Sequence, residues 1–175
     1  LEKNRYILVT LHRPHNVDNI DNLKIILDAF ANLSQKYKIV FPVHPRKSKL
    51  IHQLLKDEYN SPKNIILLEP LGYLEFLNLN INCAVVVTDS GGLQEETTVL
   101  KKPCITIRPN TERAITCTHG TNYLLTILDK KEIIRRVDMV FSGEHNPFIV
   151  DGIKYWDGKT GGRIAEIIDK EILKN

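Results

Sequence analysis

The feature that most constrains this sequence is a regular alternation of short apolar runs with longer segments of helical periodicity. Tyr6–Leu11 is the first apolar run, and its β-branched and aliphatic residues are typical of a strand buried on both faces. Ile20–Tyr37 follows, with apolar residues every three or four positions, and Asp18 or Asn19 is available as its N-cap. Strands alternating with helices in this way predict a parallel sheet covered on both faces.

The same alternation continues along the rest of the chain. The further predicted strands are 39–43, 64–68, 83–87, 104–107 and 123–127. The further predicted helices are 47–58, 73–79, 93–100, 130–141 and 163–173, and a turn-rich stretch at 142–162 precedes the last one. We therefore predict one α/β domain over residues 1–175, with a Rossmann-like parallel sheet of about six strands and helices on both faces.

Charge and apolar patterning narrow the functional classes. The net charge of +3, from 24 basic and 21 acidic residues without a basic stripe, gives no prediction of nucleic-acid binding. No apolar run approaches the roughly 18 residues that span a bilayer, and we identify no signal peptide. Cys83, Cys104 and Cys117 lack CxxC spacing, so we expect reduced thiols, no membrane association and a cytoplasmic location.

Five polar or glycine-rich loops follow the predicted strands. Ligands of open α/β sheets bind beyond the carboxyl ends of the strands, where these loops would converge. The loops are 12–19, 44–48, 69–73, 88–92 and 108–121. Their convergence predicts a ligand site at this edge of the sheet.

The loop Thr88–Gly92 is the strongest candidate because it enters a predicted helix. Its two glycines allow a ligand to approach the backbone, and the free N–H groups of the first helical turn favour an anion. Ser90 adds a hydroxyl donor for a phosphate oxygen. Glu95 and Glu96 lie one turn further, where a carboxylate could accept both hydroxyls of a ribose. The alternative is an ordinary helix cap with solvated glutamates.

Two basic pairs also lie at predicted strand ends. His12-Arg13 follows the first strand and His44-Pro45-Arg46 follows the second. An arginine in such a position can make a forked contact to phosphate or carboxylate, although an exposed pair without a ligand is an equal alternative. His12 and His15 lack neighbouring partners for a metal, so we predict none.

Three other features bear on the same edge. We expect one of Arg108 and Arg113 to pair with Glu112 and the other to face the ligand. Thr118–Asn122 is interpreted as a structural cap rather than a ligand contact. Phe76 could stack on a base, although a core role is the commoner case for phenylalanine.

These residues together resemble the UDP-N-acetylglucosamine 2-epimerase family. The matching segments are His12-Arg13 with Asn16, Pro42–Pro45, Pro70–Phe76, Thr88–Glu96, Lys102-Pro103, Arg108 with Thr111–Arg113, and Gly120-Thr121. The match covers about residues 5–175 and is most specific in Thr88–Glu96. It implies the two-domain glycosyltransferase-B (GT-B) architecture, with this chain as the C-terminal domain and the N-terminal domain, with the catalytic carboxylates, absent from these residues.

The resemblance also implies how UDP is held. The diphosphate would lie on Ser90, Gly91 and Gly92, the ribose on Glu96, and the uracil beside Phe76. No cofactor and no metal are implied.

Four further residues obtain roles from the resemblance. His12 and Arg113 would line the catalytic cleft. Arg13 and His44 match residues that touch a second, activating UDP-GlcNAc molecule in bacterial non-hydrolysing members. The usual acid of this motif is His15 here, Pro109 stands where an acid is common, and Ala114-Ile115 replaces the usual Pro-Glu.

The reaction implied is inversion at C2, which interconverts UDP-GlcNAc and UDP-ManNAc by UDP elimination to a 2-acetamidoglucal and re-addition. Removing the C2 proton needs a carboxylate base, and the leaving diphosphate needs cationic and N–H stabilisation. This domain would supply the second need and bind UDP without turnover by itself. The full-length enzyme would be a homodimer serving cell-surface polysaccharide biosynthesis.

Three alternatives stay open from the sequence. The enzyme could be hydrolysing, releasing ManNAc and UDP, or non-hydrolysing. The chain could instead belong to a GT-B glycosyltransferase that uses a UDP-sugar and a separate acceptor. It could also be a non-catalytic UDP-sugar-binding domain.

Overall fold

The structure, a computed structural model, describes residues 1–144 and 152–171. The strands are β1 (Tyr6–Thr10), β2 (Lys38–Pro42), β3 (Ile65–Leu68), β4 (Val85–Thr88), β5 (Cys104–Ile107) and β6 (Asn122–Leu125). The helices are α1 (Pro14–Val17), α2 (Ile20–Leu33), α3 (Pro45–Tyr59), α4 (Tyr73–Asn82), α5 (Gly91–Val99), α6 (Ala114–Thr118), α7 (Lys130–Ser142) and α8 (Thr160–Glu171).

The strands form one parallel sheet in the order β3-β2-β1-β4-β5-β6, which confirms the predicted six-stranded Rossmann-like fold. The chain moves outward from β1 to β3 and then returns to the centre to build β4 to β6. The topological switch point therefore lies between β1 and β4, where Thr10 is paired with Thr88. Ligand crevices of this fold class open at that point.

Two apolar layers cover the sheet, as the predicted architecture requires. The larger layer packs α2, α3 and α7 on one face, with Phe30 of α2 against Phe41 of β2 at a ring-centroid distance of 6.1 Å. The smaller layer packs α4 and α5 on the other face, and it contains Leu93 together with the half-buried Phe76. Burial on both faces explains why the strands are continuous apolar runs rather than alternating ones.

Several element boundaries differ from the prediction. Helix α2 ends at Leu33, four residues before the predicted end, and its N-cap is Asn19, whose side chain accepts from two backbone N–H groups. Helix α3 begins at Pro45, because a proline fits the first helical position and His44 can cap it. Helix α5 begins at Gly91 rather than at residue 93.

Two short helices were not predicted. α1 lies within the loop 12–19 and α6 within the loop 108–121. With four and five residues, neither is long enough to produce a helical repeat of apolar positions, which is the signal that identified the others.

The last helix begins earlier than predicted, and three of its isoleucines are exposed. α8 begins at Thr160, before the predicted residue 163, while residues 172–173 of the prediction and 145–151 of the turn-rich stretch lie outside the described residues. Ile164, Ile167 and Ile168 of α8 are exposed. Among the described helices, none combines the length and the apolar character that crossing a bilayer requires.

The three cysteines are free, as expected. Cys83 and Cys104 are buried, and burial raises the pKa of the Cys83 thiol to about 12 and that of the Cys104 thiol to about 11. Both thiols are therefore inert in the folded chain near neutral pH.

Candidate functional site

The candidate site lies at the carboxyl ends of β1 and β4. The hydroxyl oxygens of Thr10 and Thr88 are 2.7 Å apart across the two strands, and the Thr88 hydroxyl also accepts from the backbone N–H of Ser90 at 2.9 Å. The two threonines therefore fix the point at which the chain leaves β4 for α5.

Asp89 is the buried centre of this edge, with no exposed surface. Its carboxylate accepts from the backbone N–H groups of His12 and Arg13 and from the side-chain amide of Asn16. Asn16 donates its second amide hydrogen to the carbonyl of Ile107 at the end of β5. One carboxylate thus ties the loop after β1 to the loop after β4. Asp89 belongs to the motif Thr88–Glu96, but no role for it was predicted from the sequence.

Ser90 and the two glycines form the N-terminus of α5. Ser90 is the N-cap residue, but its side chain makes no capping hydrogen bond, so its hydroxyl is available to a ligand. A Cβ on Gly91 would lie 2.9 Å from Nη1 of Arg113, whereas a Cβ on Gly92 would meet nothing within 4 Å. Gly91 therefore makes room for Arg113, and Gly92 faces open space.

Arg113 lies over this helix start within a cluster of acids. Its Nε is 3.2 Å from Oε2 of Glu95, an ion-pair distance without hydrogen-bond geometry, and Nη1 pairs with Glu112. Arg108 also pairs with Glu112, at 2.8 Å. The expectation that only one arginine would pair with Glu112 is therefore wrong, because the carboxylate bridges both.

The surroundings of Glu112 lower the pKa of its carboxyl strongly. A hydrogen bond from its own backbone N–H and the Arg108 guanidinium hold the pKa of the Glu112 carboxyl at about 2. Glu112 consequently stays ionised throughout the physiological range and neutralises part of the charge of both arginines.

A buried polar network fixes the segment that carries Arg113. Gln94 of α5 accepts from the Thr111 hydroxyl at 2.7 Å and from the Asn122 amide at 3.0 Å. The Thr111 hydroxyl in turn accepts from the backbone N–H of Arg113. Gly120 has no space for a Cβ, which would lie 2.5 Å from the Thr98 hydroxyl oxygen. The structural role predicted for Thr118–Asn122 agrees with this packing.

Glu96 belongs to α5 and Phe76 to α4, the two helices of the smaller apolar layer. Oε2 of Glu96 is buried and has no hydrogen-bond partner among residues 1–144 and 152–171, and burial raises the pKa of this carboxyl. Glu96 also lines a groove of about 350 Å³ between α4 and α5, which Tyr73, Leu77 and Trp156 help to form. Phe76 packs partly against the smaller core layer, so it has a structural role in addition to any contact with a base.

Comparison with known proteins identifies the family of this chain. The family model described as UDP-N-acetylglucosamine 2-epimerase matches residues 1–169. The chain belongs to this family. The UDP-N-acetylglucosamine 2-epimerase of Methanocaldococcus jannaschii is 41% identical over 169 residues, which are 93% of this chain and 44% of that protein. The chain therefore spans a little under half the length of such a relative.

Two other relatives extend the comparison. The crystal structure of the Methanocaldococcus jannaschii UDP-GlcNAc 2-epimerase in complex with UDP-GlcNAc and UDP matches with a TM-score of 0.78 and 40% identity, covering 94% of this chain and 45% of that one. The UDP-2,3-diacetamido-2,3-dideoxy-D-glucuronate 2-epimerase of Pseudomonas aeruginosa is 34% identical over 167 residues, 94% of this chain and 44% of that protein. Both matches fit one half of a longer epimerase-family protein.

The second basic pair is held less firmly than the first. His44 is exposed, and its Nδ1 accepts from the backbone N–H of Arg46 at 3.4 Å, at the long limit for a hydrogen bond. Arg13 is half-buried, and its Nε has no hydrogen-bond partner in the part of the chain that the structure describes. His15 makes its contacts with Asn22 of α2, through its carbonyl at 2.9 Å. Residues 1–144 and 152–171 contain no group of three His, Cys, Asp or Glu placed to hold a metal.

Proposed function

We propose that this chain is the UDP-binding, C-terminal half of a UDP-N-acetylglucosamine 2-epimerase. The observation that carries the proposal is the start of α5. It offers an unengaged Ser90 hydroxyl and open space at Gly92, at the switch point of the sheet. The first backbone N–H groups of a helix attract anions, so this end of α5 suits a diphosphate.

Two basic residues flank the helix start. His12 is tied to Asp89 on the β1 side, and Arg113 lies over Gly91 on the other. Both are assigned to the cleft, where they stabilise the negative charge that develops on the departing UDP. Glu95 and Glu112 temper the charge of Arg113, so we assign the larger share of diphosphate binding to the helix N-terminus.

The nucleoside occupies the α4 side of α5. Glu96 accepts the ribose hydroxyls, because its Oε2 has no partner within the described residues and a diol supplies two donors. The uracil lies beside Phe76 of α4, the helix whose Tyr73 and Leu77 line the groove together with Glu96.

The reaction of the longer protein is inversion at C2 of UDP-GlcNAc by elimination and re-addition of UDP. This half binds the leaving group, and the carboxylate base comes from outside these residues. A second candidate substrate is a UDP-linked diacetamido uronic acid, favoured by the similarity to the Pseudomonas aeruginosa enzyme. The α5 site does not discriminate between them, because both substrates share the UDP group.

We extend the proposal to regulation, cellular location and oligomeric state. Arg13, whose Nε has no hydrogen-bond partner among the described residues, and the exposed His44 contact a second UDP-GlcNAc molecule. The longer protein acts in the cytoplasm as a homodimer and supplies sugars for cell-surface polysaccharides. Free thiols at all three cysteines are compatible with a reducing compartment.

Calorimetric titration of the chain with UDP, UDP-GlcNAc and ADP tests the nucleotide assignment. UDP and UDP-GlcNAc should bind, and ADP should bind much more weakly. Comparable affinity for ADP would contradict the uracil site. Ser90→Ala and Glu96→Ala should each weaken UDP binding by about 1–3 kcal/mol, the scale of a hydrogen bond to a charged group. Ser61→Ala, in the loop before β3, provides a matched control that should leave affinity unchanged.

Product analysis tests the division of labour between the two halves. The 175-residue chain should bind UDP-GlcNAc without converting it. Formation of UDP-ManNAc or free ManNAc by this chain would show that the catalytic base lies within it.

A further inference from the structure

The loop after β1 is hydrogen-bonded to a side chain that follows the neighbouring strand, β4. Asp89, at the end of β4, has no exposed surface. Its two oxygens accept from His12 N at 3.1 and 3.2 Å, from Arg13 N at 3.0 Å and from the Asn16 amide at 3.0 Å. A buried carboxylate needs several such donors, because it loses its hydration on folding.

The same carboxylate also contacts the ring of His12. Nδ1 of His12 lies 2.9 Å from Oδ1 of Asp89, and 52% of the His12 side chain remains exposed. A carboxylate oxygen only accepts, so this close contact favours the ring form with a hydrogen on Nδ1. Within the described residues Nε2 of this ring has no hydrogen-bond partner, and it is therefore the nitrogen left for a ligand.

We propose that Asp89 is a positioning residue that acts through His12. It fixes the ring with Nδ1 protonated and turned inward, so that Nε2 is presented at the diphosphate-binding end of α5. A phosphate oxygen only accepts, so a contact through Nε2 also requires a hydrogen on that nitrogen. This inference rests on the proposed function and adds to it the source of the orientation of His12.

The position of Asp89 favours this role over that of a ligand contact. A fully buried carboxylate would repel a diphosphate if it faced one. Here the carboxylate faces the hydrogen-bond donors of the β1 loop, which compensate its charge. Ser90, the next residue, begins the anion-binding end of α5. One short segment thus supplies the N–H groups for the phosphate and the acid that orients the neighbouring imidazole.

A double-mutant cycle separates positioning from a purely structural role. The four proteins are the wild-type chain, Asp89→Asn, His12→Gln and the double variant, and the readout is UDP affinity. Asn keeps one oxygen for the backbone N–H groups but removes the charge opposite Nδ1. Asp89→Asn should weaken UDP binding about tenfold or more in the His12 background. In the His12→Gln background it should weaken binding less than twofold, because the residue through which it acts is gone. Equal losses in both backgrounds would overturn the proposal.

Asn16→Ala is the matched control, because it removes another hydrogen bond to Asp89 from the same loop without touching the imidazole. Its effect on UDP affinity should be the same in both His12 backgrounds. If Asn16→Ala coupled to His12 as strongly as Asp89→Asn does, general loosening of the loop would be the better account.

Ring ¹⁵N NMR of the chain without UDP tests the orientation directly. The wild-type spectrum should show His12 with its hydrogen held at Nδ1, and Asp89→Asn should shift the ring toward a mixture of tautomers. A wild-type ring with the hydrogen mainly on Nε2 would overturn the proposal even if Asp89→Asn failed to fold. Failure of the wild-type chain to bind UDP would instead contradict the proposed function, and the ring spectra would still decide whether Asp89 orients His12.

Discussion

The two basic loops at the carboxyl edge look alike in sequence and differ in structure. His12-Arg13 follows β1 and His44-Pro45-Arg46 follows β2, each as a histidine and an arginine at a strand end. The first loop is tied to the buried carboxylate of Asp89, while the second caps α3 through one long hydrogen bond. The first basic pair is thus fixed by an acceptor that follows a neighbouring strand, whereas the second is held by a contact within its own loop.

Removing the acceptor gives the largest predicted effect. Asp89→Ala leaves several buried donors without a partner, and unfolding in urea should show a loss of about 3 kcal/mol. His44→Ala loses one exposed helix cap and should cost about 0.5–1 kcal/mol. Equal losses in the free energy of unfolding for the two variants would contradict the difference described between the loops.

Ligand binding should separate the two histidines next. His12→Gln should weaken UDP binding about tenfold, the scale of one hydrogen bond to a charged group. His44→Gln should leave the UDP dissociation constant within about twofold, because His44 is assigned to a second UDP-GlcNAc molecule and lies on another loop. Calorimetry with UDP alone measures both, and a larger loss for His44→Gln would place the diphosphate at the second loop.

The same contrast between constrained and unconstrained positions holds for the two glycines. Gly92→Ala should stabilise the free chain by about 0.5 kcal/mol, since its Cβ meets nothing and alanine favours a helix. Gly91→Ala should gain less, because Arg113 must move away from its acidic partners. Thermal unfolding of the two variants ranks them, and the reverse order would show that Arg113 does not lie over Gly91.

The smallest effect concerns the exposed acid that bridges Arg108 and Arg113. The folded-state pKa of Glu112 is held at about 2, below the value near 4.3 of an unfolded glutamate. Its contribution is therefore present above about pH 4.3 and is lost as the pH falls toward 2. Glu112→Gln should flatten the loss of stability in this window. Glu69→Gln, at an exposed position after β3, should not, and identical acid profiles for both variants would argue against the bridge.

Most of the fold could be predicted because its signals are local. Apolar runs located all six strands, and helical spacing located the longer helices, since both patterns repeat within a single element. Helices α1 and α6 contain too few residues for such a pattern. The order of the strands was not predicted, because right-handed crossovers restrict the possible orders without selecting this one.

The candidate site could be predicted only in part, because its decisive contacts are long-range. The residue types of Ser90, Gly91 and Gly92 already indicate an anion site at a helix start. Their sequence does not show that Gly91 packs against Arg113, twenty-two positions away, or that Asp89 holds the backbone of His12. An acid directly after an apolar central strand is the one local signal that could have marked Asp89.

An amide NMR titration of the 175-residue chain with UDP tests most directly whether UDP binds at the start of α5. We expect the largest shifts at Ser90, Gly91 and Gly92, with smaller shifts at His12 and Phe76. Shifts concentrated at His44–Lys47, with those of residues 90–92 unchanged, would contradict it.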